Sequence, residues 1–155
     1  MHELSPQAIN LTSPSEVRAT IDSLGMRPNK SLGQNFLVDR NILLILADAA
    51  EPLREARILE IGAGFGVLTE ELLRRGARVT AIEKDERLYK YLVARFSGES
   101  GLELRHGDAL ELDLADLREL DELRVVANLP YSTGTRILVE MIQKARPAGF
   151  VLTLQ

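Results

Sequence analysis

The chain has 155 residues, 45% of them hydrophobic and 27% charged, with a formal net charge of −4 and no cysteine. That is enough chain for one domain with a full core, at the ordinary composition of a globular protein. Disulfides and thiolate metal sites are excluded, two distant histidines give no basis for a metal, and the acidic balance counts against a surface built to neutralise phosphates.

Residues 1–12 carry Pro, Ser, Asn and Gln and read as a polar lead-in, without the basic start and apolar centre of a secretory signal. Ser13-Pro14-Ser15-Glu16 starts a helix: Ser13 caps, Pro14 takes the first helical position and Glu16 completes a capping box. Val17, Ile21 and Leu24 form its apolar stripe, and Gly25 ends it. The segment from Arg27 to Leu37 mixes two cations, amides including Gln34 and Asn35, and the aromatic Phe36. Such a loop lines a ligand site or makes ordinary turns, and composition does not choose between them. Asp39 then caps an apolar helix, Ile42 to Ala50, that stops at Pro52. Interrupted by Asp48, this helix is far too short to span a bilayer, so no membrane partner is expected and the expected compartment is the cytoplasm.

From Arg57 the residues Ile58, Leu59 and Ile61 read as a short buried strand. Gly62, Gly64 and Gly66 follow at alternate positions, and Val67 to Leu73 has helical spacing closed by Gly76. Strand, glycine turn and helix open a parallel α/β sheet with its ligand at the carboxyl end of the strand. Glycine there lets the backbone approach the ligand and take positive φ. A dinucleotide fingerprint needs its third glycine where Val67 stands, one place after Gly66. Glu60 is also poorly placed for a pyrophosphate, whereas a ligand carrying an amine and a sulfonium tolerates an acid there. The form E-x-G-x-G-x-G, Glu60 to Gly66, resembles the first motif of S-adenosylmethionine-dependent methyltransferases. Taken alone, a structural tight turn remains the alternative.

Ala77 to Ile82 alternates as a second strand ending in Glu83, about 20 residues beyond Gly62, where an acid can accept both ribose hydroxyls. Two such charge-assisted bonds contribute roughly 1.5–3 kcal/mol each. Beside Lys84 and Asp85, the other reading is a solvated carboxylate at a strand end. A 2′-phosphate would be repelled. Arg87 to Phe96 is a helix with Leu88, Tyr91, Leu92 and Phe96 on its core side, and Leu102 to His106 is a third strand. After it, Asp108 either accepts from an adenine amine or stabilises the turn; His106 is read as a surface or rim residue. Leu114 to Leu123 is a peripheral helix or loop.

Arg124 to Ala127 is the fourth strand and ends in Asn128-Leu129-Pro130-Tyr131. An exocyclic amine on an aromatic base is a poor nucleophile, because its lone pair is delocalised into the ring. The Asn128 side-chain carbonyl, with a main-chain carbonyl at Leu129 or Pro130, could accept both N–H bonds and leave that lone pair free. Pro130 fixes the backbone direction. Tyr131 offers a ring for base stacking, worth about 1–3 kcal/mol; a proline turn with a packed Tyr is the alternative. A helix follows from Thr135 to Lys144 with Ile137, Leu138, Met141 and Ile142 inward, then a fifth strand from Phe150 to Leu154. Alternating strands and helices predict a parallel sheet with right-handed crossovers.

Taken together, Gln34 to Leu37 (QNFL), Glu60 to Gly66 (EIGAGFG), Glu83, Gly107 to Leu110 (GDAL) and Asn128 to Tyr131 (NLPY) resemble the small-subunit ribosomal RNA adenine N6,N6-dimethyltransferases, bacterial type. The resemblance runs from about Thr12 onward. It implies a class I S-adenosylmethionine-dependent methyltransferase fold, a Rossmann-like parallel sheet with helices on both faces. Residues 1–38 would form an N-terminal helix and a cofactor-covering loop, and 39–155 the methyltransferase domain. The implied reaction dimethylates N6 of two adjacent adenosines near the 3′ end of the RNA, with the 30S particle as partner. Asn35 and Leu37 would contact the cofactor, Gly62 its methionine end, Glu83 the ribose and Asp108 the adenine. Gln34, Glu60, Gly64, Lys84 and Ala109 would complete that site. Asn128 would face both cofactor and target amine, and Leu129, Pro130 and Tyr131 would complete the catalytic group.

The family continues into two further strands and a small helical RNA-binding domain, so the resemblance implies a fold incomplete at its C-terminus. The fifth strand would then offer an open edge for self-association. Three other functions stay open on sequence: a cofactor- or RNA-binding module without activity, an NAD-dependent oxidoreductase, and a DNA adenine methyltransferase.

Overall fold

The computed structural model describes residues 13–26 and 39–154. Five strands, β1 (Arg57–Ile61), β2 (Arg78–Glu83), β3 (Leu102–His106), β4 (Arg124–Leu129) and β5 (Gly149–Leu154), form one sheet in the order β3-β2-β1-β4-β5. Every pairing is parallel. Chain order reverses beside β1, which pairs with β2 on one side and β4 on the other; ligands bind at such a switch point, beyond the carboxyl ends of the strands.

The central strands are apolar runs because both faces are covered. On one face Ile58, Val79 and Val126 pack under Leu46 of α2 (Arg40–Ala49), Leu72 of α3 (Val67–Arg74) and Leu92 of α4 (Glu86–Arg95). On the other, Leu59, Ile82 and Val125 meet Met141 of α5 (Tyr131–Lys144) and Leu117 of a short 3-10 helix, Ala115–Glu119. The first helix, α1 (Pro14–Ser23), packs through Val17 and Ile21 against Phe65 and Leu88. Among the described residues no helix is long and apolar enough to cross a membrane.

Several element ends differ from the sequence reading. The Ser13 side chain makes no cap bond and pairs with Ser15 Oγ at 2.8 Å, so the capping box does not form. β4 continues through Asn128 and Leu129, which pair with Thr153 and Leu154. α5 therefore begins at Tyr131, a turn before the expected Thr135, with Pro130 as its extended N-cap. Ile142, expected inward, is exposed, because Met141 holds the buried position. Asp39 and Asp85 cap α2 and α4 as short acids do, accepting from Asn41 N and from Arg87 N and Leu88 N.

The glycine loop shows why its third member is glycine. Gly66 is left-handed, φ 78°, at the N-cap of α3, and a Cβ there would lie 2.6 Å from Phe96 Cε2 and 2.8 Å from Leu92 Cδ2. Gly66→Ala combines left-handed strain with overpacking and is expected to destabilise the chain by about 2 kcal/mol. Urea unfolding checks this, and an unchanged midpoint would refute the packing role.

Candidate functional site

The carboxyl ends of β1 to β4 open onto one cleft of about 1030 Å³, a volume that includes solvent at its open side. β1 and its loop contribute Glu60, Gly62 and Gly64; β2 contributes Glu83 and Lys84; the turn after β3 contributes Asp108 and Ala109; β4 brings Asn128 and Leu129, with Pro130 beyond. Ten residues singled out in the sequence thus face one hollow. Tyr131 is not part of its lining and stands 77% exposed beside Pro130. Gln34, Asn35 and Leu37 lie outside the described residues.

Glu83 is not the solvated acid that its neighbours Lys84 and Asp85 suggest. It is 6% exposed, and its two oxygens accept from Gly64 N at 2.8 Å and Asp85 N at 2.9 Å. Burial pushes its carboxyl above the usual range, while the N–H bonds from Asp85, Gly64 and Lys84 pull it back. The carboxylate so ties the glycine loop to the tip of β2. A carboxylate has about four lone-pair sites, so acceptor capacity remains for a ligand hydroxyl.

Glu60, 1% exposed at the tip of β1, accepts a hydrogen bond from Thr69 Oγ1 at 2.6 Å. Thr69 is the third residue of α3, so the bond also holds the start of the helix against β1. Burial raises the Glu60 pKa to about 8; the Thr69 hydroxyl opposes the shift and the Glu83 charge adds to it. No basic side chain is within ion-pair distance of Glu60 among the described residues.

The sign of the resulting pH dependence follows from linkage. A carboxyl whose folded pKa is raised contributes stability fully below its unfolded pKa, here 4.5, and loses it as pH rises through about 8. Glu60→Gln keeps the shape and removes the charge. Its melting temperature is expected to match the parent near pH 4.5 and exceed it by several degrees near pH 8.5. Parallel curves across that window would show that Glu60 does not titrate in the fold.

Asp108 makes the turn expected of a short acid after a strand, its Oδ1 accepting from Leu110 N at 2.9 Å, while it also lines the cleft. His106 is a surface residue, as read; its ring stacks on Tyr89 at 5.1 Å. The Pro130 carbonyl receives Thr133 N at 3.2 Å and Gly134 N at 2.9 Å, the first bonds of α5. Both lone pairs of the Pro130 carbonyl are thus engaged at the start of α5. The Asn128 Oδ1 is bonded by the Thr153 hydroxyl at 2.5 Å.

Sequence reasoning missed the apolar lining, Ile61, Ile82, Leu88 and Ile137, and also Thr133. Ile82 stands directly before Glu83 and Thr133 two residues after Tyr131, so proximity to the motifs was the available signal. No cluster of His, Asp or Glu suited to a metal occurs among the described residues. The cleft thus offers acceptors at Glu83, Asp108 and Asn128, a buried acid at Glu60, and apolar walls. That set suits a nucleoside-sized ligand carrying hydroxyls and a positive charge.

Comparison with known proteins agrees with this chemistry. Residues 25–155 match the family model described as ribosomal RNA adenine dimethylase. A curated relative, the ribosomal RNA small subunit methyltransferase A of Deinococcus radiodurans, is 46% identical over 90% of this chain and 47% of its own length. Among solved structures, the 23S rRNA methyltransferase ErmE superposes with a TM-score of 0.64 at 32% identity, over 78% of this chain and 48% of its own. A dimethyladenosine transferase from Plasmodium falciparum superposes at 0.59 with 29% identity, over 76% and 42%. The chain spans about half the length of the curated relatives it matches.

Proposed function

The chain belongs to the ribosomal RNA adenine dimethylase family, and from that premise we propose that its cleft transfers methyl groups from S-adenosylmethionine to N6 of two adjacent adenosines near the 3′ end of small-subunit ribosomal RNA. The observation that carries the reading is the meeting of Glu83 and Asn128 in one cleft with the glycine loop between them.

The residues fit the cofactor. Gly62 has φ 76° and nothing within 4 Å of where a Cβ would be, so the loop leaves open room for a ligand. Glu83 would accept from the ribose hydroxyls, Asp108 would face the adenine end, and the ligand's positive charge would favour ionisation of the buried Glu60. When bound, S-adenosylmethionine supplies the electrophilic methyl group and the cationic sulfonium. The chain supplies orientation: Asn128 Oδ1 and the Leu129 carbonyl accept the two N6 hydrogens, turning the amine lone pair out of conjugation. Tyr131, exposed at the rim, offers its ring to the target base. Catalysis of this kind rests on positioning rather than on proton transfer by a side chain.

Calorimetric titration followed by a methyl-transfer assay on undermethylated small-subunit particles tests the proposal. S-adenosylmethionine should bind, NAD should not, and dimethyladenosine should appear in the particle RNA. Binding without transfer would favour a cofactor-binding module, a reading that fits the net charge of −4, which counts against RNA contact. Transfer to adenine in DNA but not in the particles would favour a DNA enzyme.

A further inference from the structure

Asn128 does not stand alone at the tip of β4. The β4–β5 register sets Thr153 directly opposite it, and the Thr153 Oγ1 donates to Asn128 Oδ1 at 2.5 Å. Both side chains are half-buried, so water competes poorly for this bond. An asparagine side chain has two torsions and a nearly symmetric amide; without a partner its oxygen and nitrogen exchange places readily. One hydroxyl on a neighbouring strand removes that freedom. We propose that Thr153 is a positioning residue, holding the Asn128 amide so that a fixed oxygen lone pair remains for the adenine N6 amine.

This inference deepens the proposed function and rests on it. The Thr153 hydroxyl occupies one of the two lone pairs of Oδ1, and the other receives one N6 hydrogen while the Leu129 carbonyl receives its partner. Because Thr153 acts on the amine through Asn128, its loss should slow transfer without weakening the cofactor. A misplaced reacting group costs up to about 100-fold in rate. The β-branched shape also matters to the strand, so the informative replacements separate shape from hydroxyl. Thr153→Val keeps the shape and removes the donor, and Thr153→Ser keeps the donor and trims the shape.

Two readouts decide the matter. In nitrogen-15 spectra of this chain, the Asn128 side-chain amide pair, identified by its disappearance in Asn128→Asp, should move in Thr153→Val and return close to its parental position in Thr153→Ser. In the particle assay, Thr153→Val should lose about 10- to 100-fold in kcat with KM for S-adenosylmethionine within about twofold, and Thr153→Ser should stay within about threefold of the parent. An Asn128 signal unmoved in Thr153→Val, a Val variant above half the parental rate, or a Ser variant as slow as Val would overturn the assignment. If the parent itself transfers no methyl group, the functional reading has failed, and the spectra alone then decide whether Thr153 holds the amide.

Discussion

Asn128→Ala is expected to lower methyl transfer about 100- to 1000-fold while leaving the affinity for S-adenosylmethionine within about threefold. The expectation follows from what the side chain faces. Asn128, one residue before the end of β4, lines the cleft, and its oxygen already carries one hydrogen bond, from Thr153, that orients it. In the proposed function its remaining acceptor capacity would meet an amine whose lone pair must leave conjugation with the ring before it can attack. Alanine removes that acceptor. The Leu129 carbonyl alone would accept one hydrogen and leave the amine planar. The Thr153 hydroxyl would also lose its partner, a cost of about 1–3 kcal/mol if it stays buried. Single-turnover transfer on small-subunit particles, beside calorimetry with the cofactor, separates the two effects. Near-parental transfer by the variant would remove Asn128 from the reacting centre.

Glu83→Ala should weaken S-adenosylmethionine about 100-fold. Two losses combine. The ligand loses charge-assisted bonds to its ribose hydroxyls, and the glycine loop loses the acceptor that holds Gly64 N at 2.8 Å. Glu83→Gln is no conservative control, since its NH2 group would point a donor at the N–H of either Gly64 or Asp85. Circular dichroism at the titration temperature confirms that the fold persists. Affinity within threefold of the parent would place the ribose elsewhere.

Much of this cleft could be read from the chain before any coordinates, for a physical reason. Glycines and carboxylates at strand ends are conspicuous against the apolar runs of a buried parallel sheet, so Glu60, Gly62, Glu83, Asp108 and Asn128 stood out. The apolar lining did not, because Ile61, Ile82 and Ile137 face the cleft with side chains that serve equally well in a core. The junction of β4 and α5 was misplaced because Asn, Pro, Ser, Thr and Gly together signal a turn. Pairing of Asn128 with Thr153 is a tertiary contact, and Pro130 suits a helix start. Charge states were equally hidden. That Glu60 resists ionisation depends on its burial near the end of β1, and that Glu83 braces Gly64 depends on loop geometry. Thr153 looked like any strand residue until the register placed it opposite Asn128.

A crystal structure of this chain with S-adenosylmethionine bound is the most direct test of the whole account. The ribose hydroxyls should meet Glu83, the methionine end should lie along Gly62 beside Glu60, and the methyl group should point toward Asn128. The donor seated outside this cleft, or seated within it with the methyl group turned away from Asn128, would contradict the assignment.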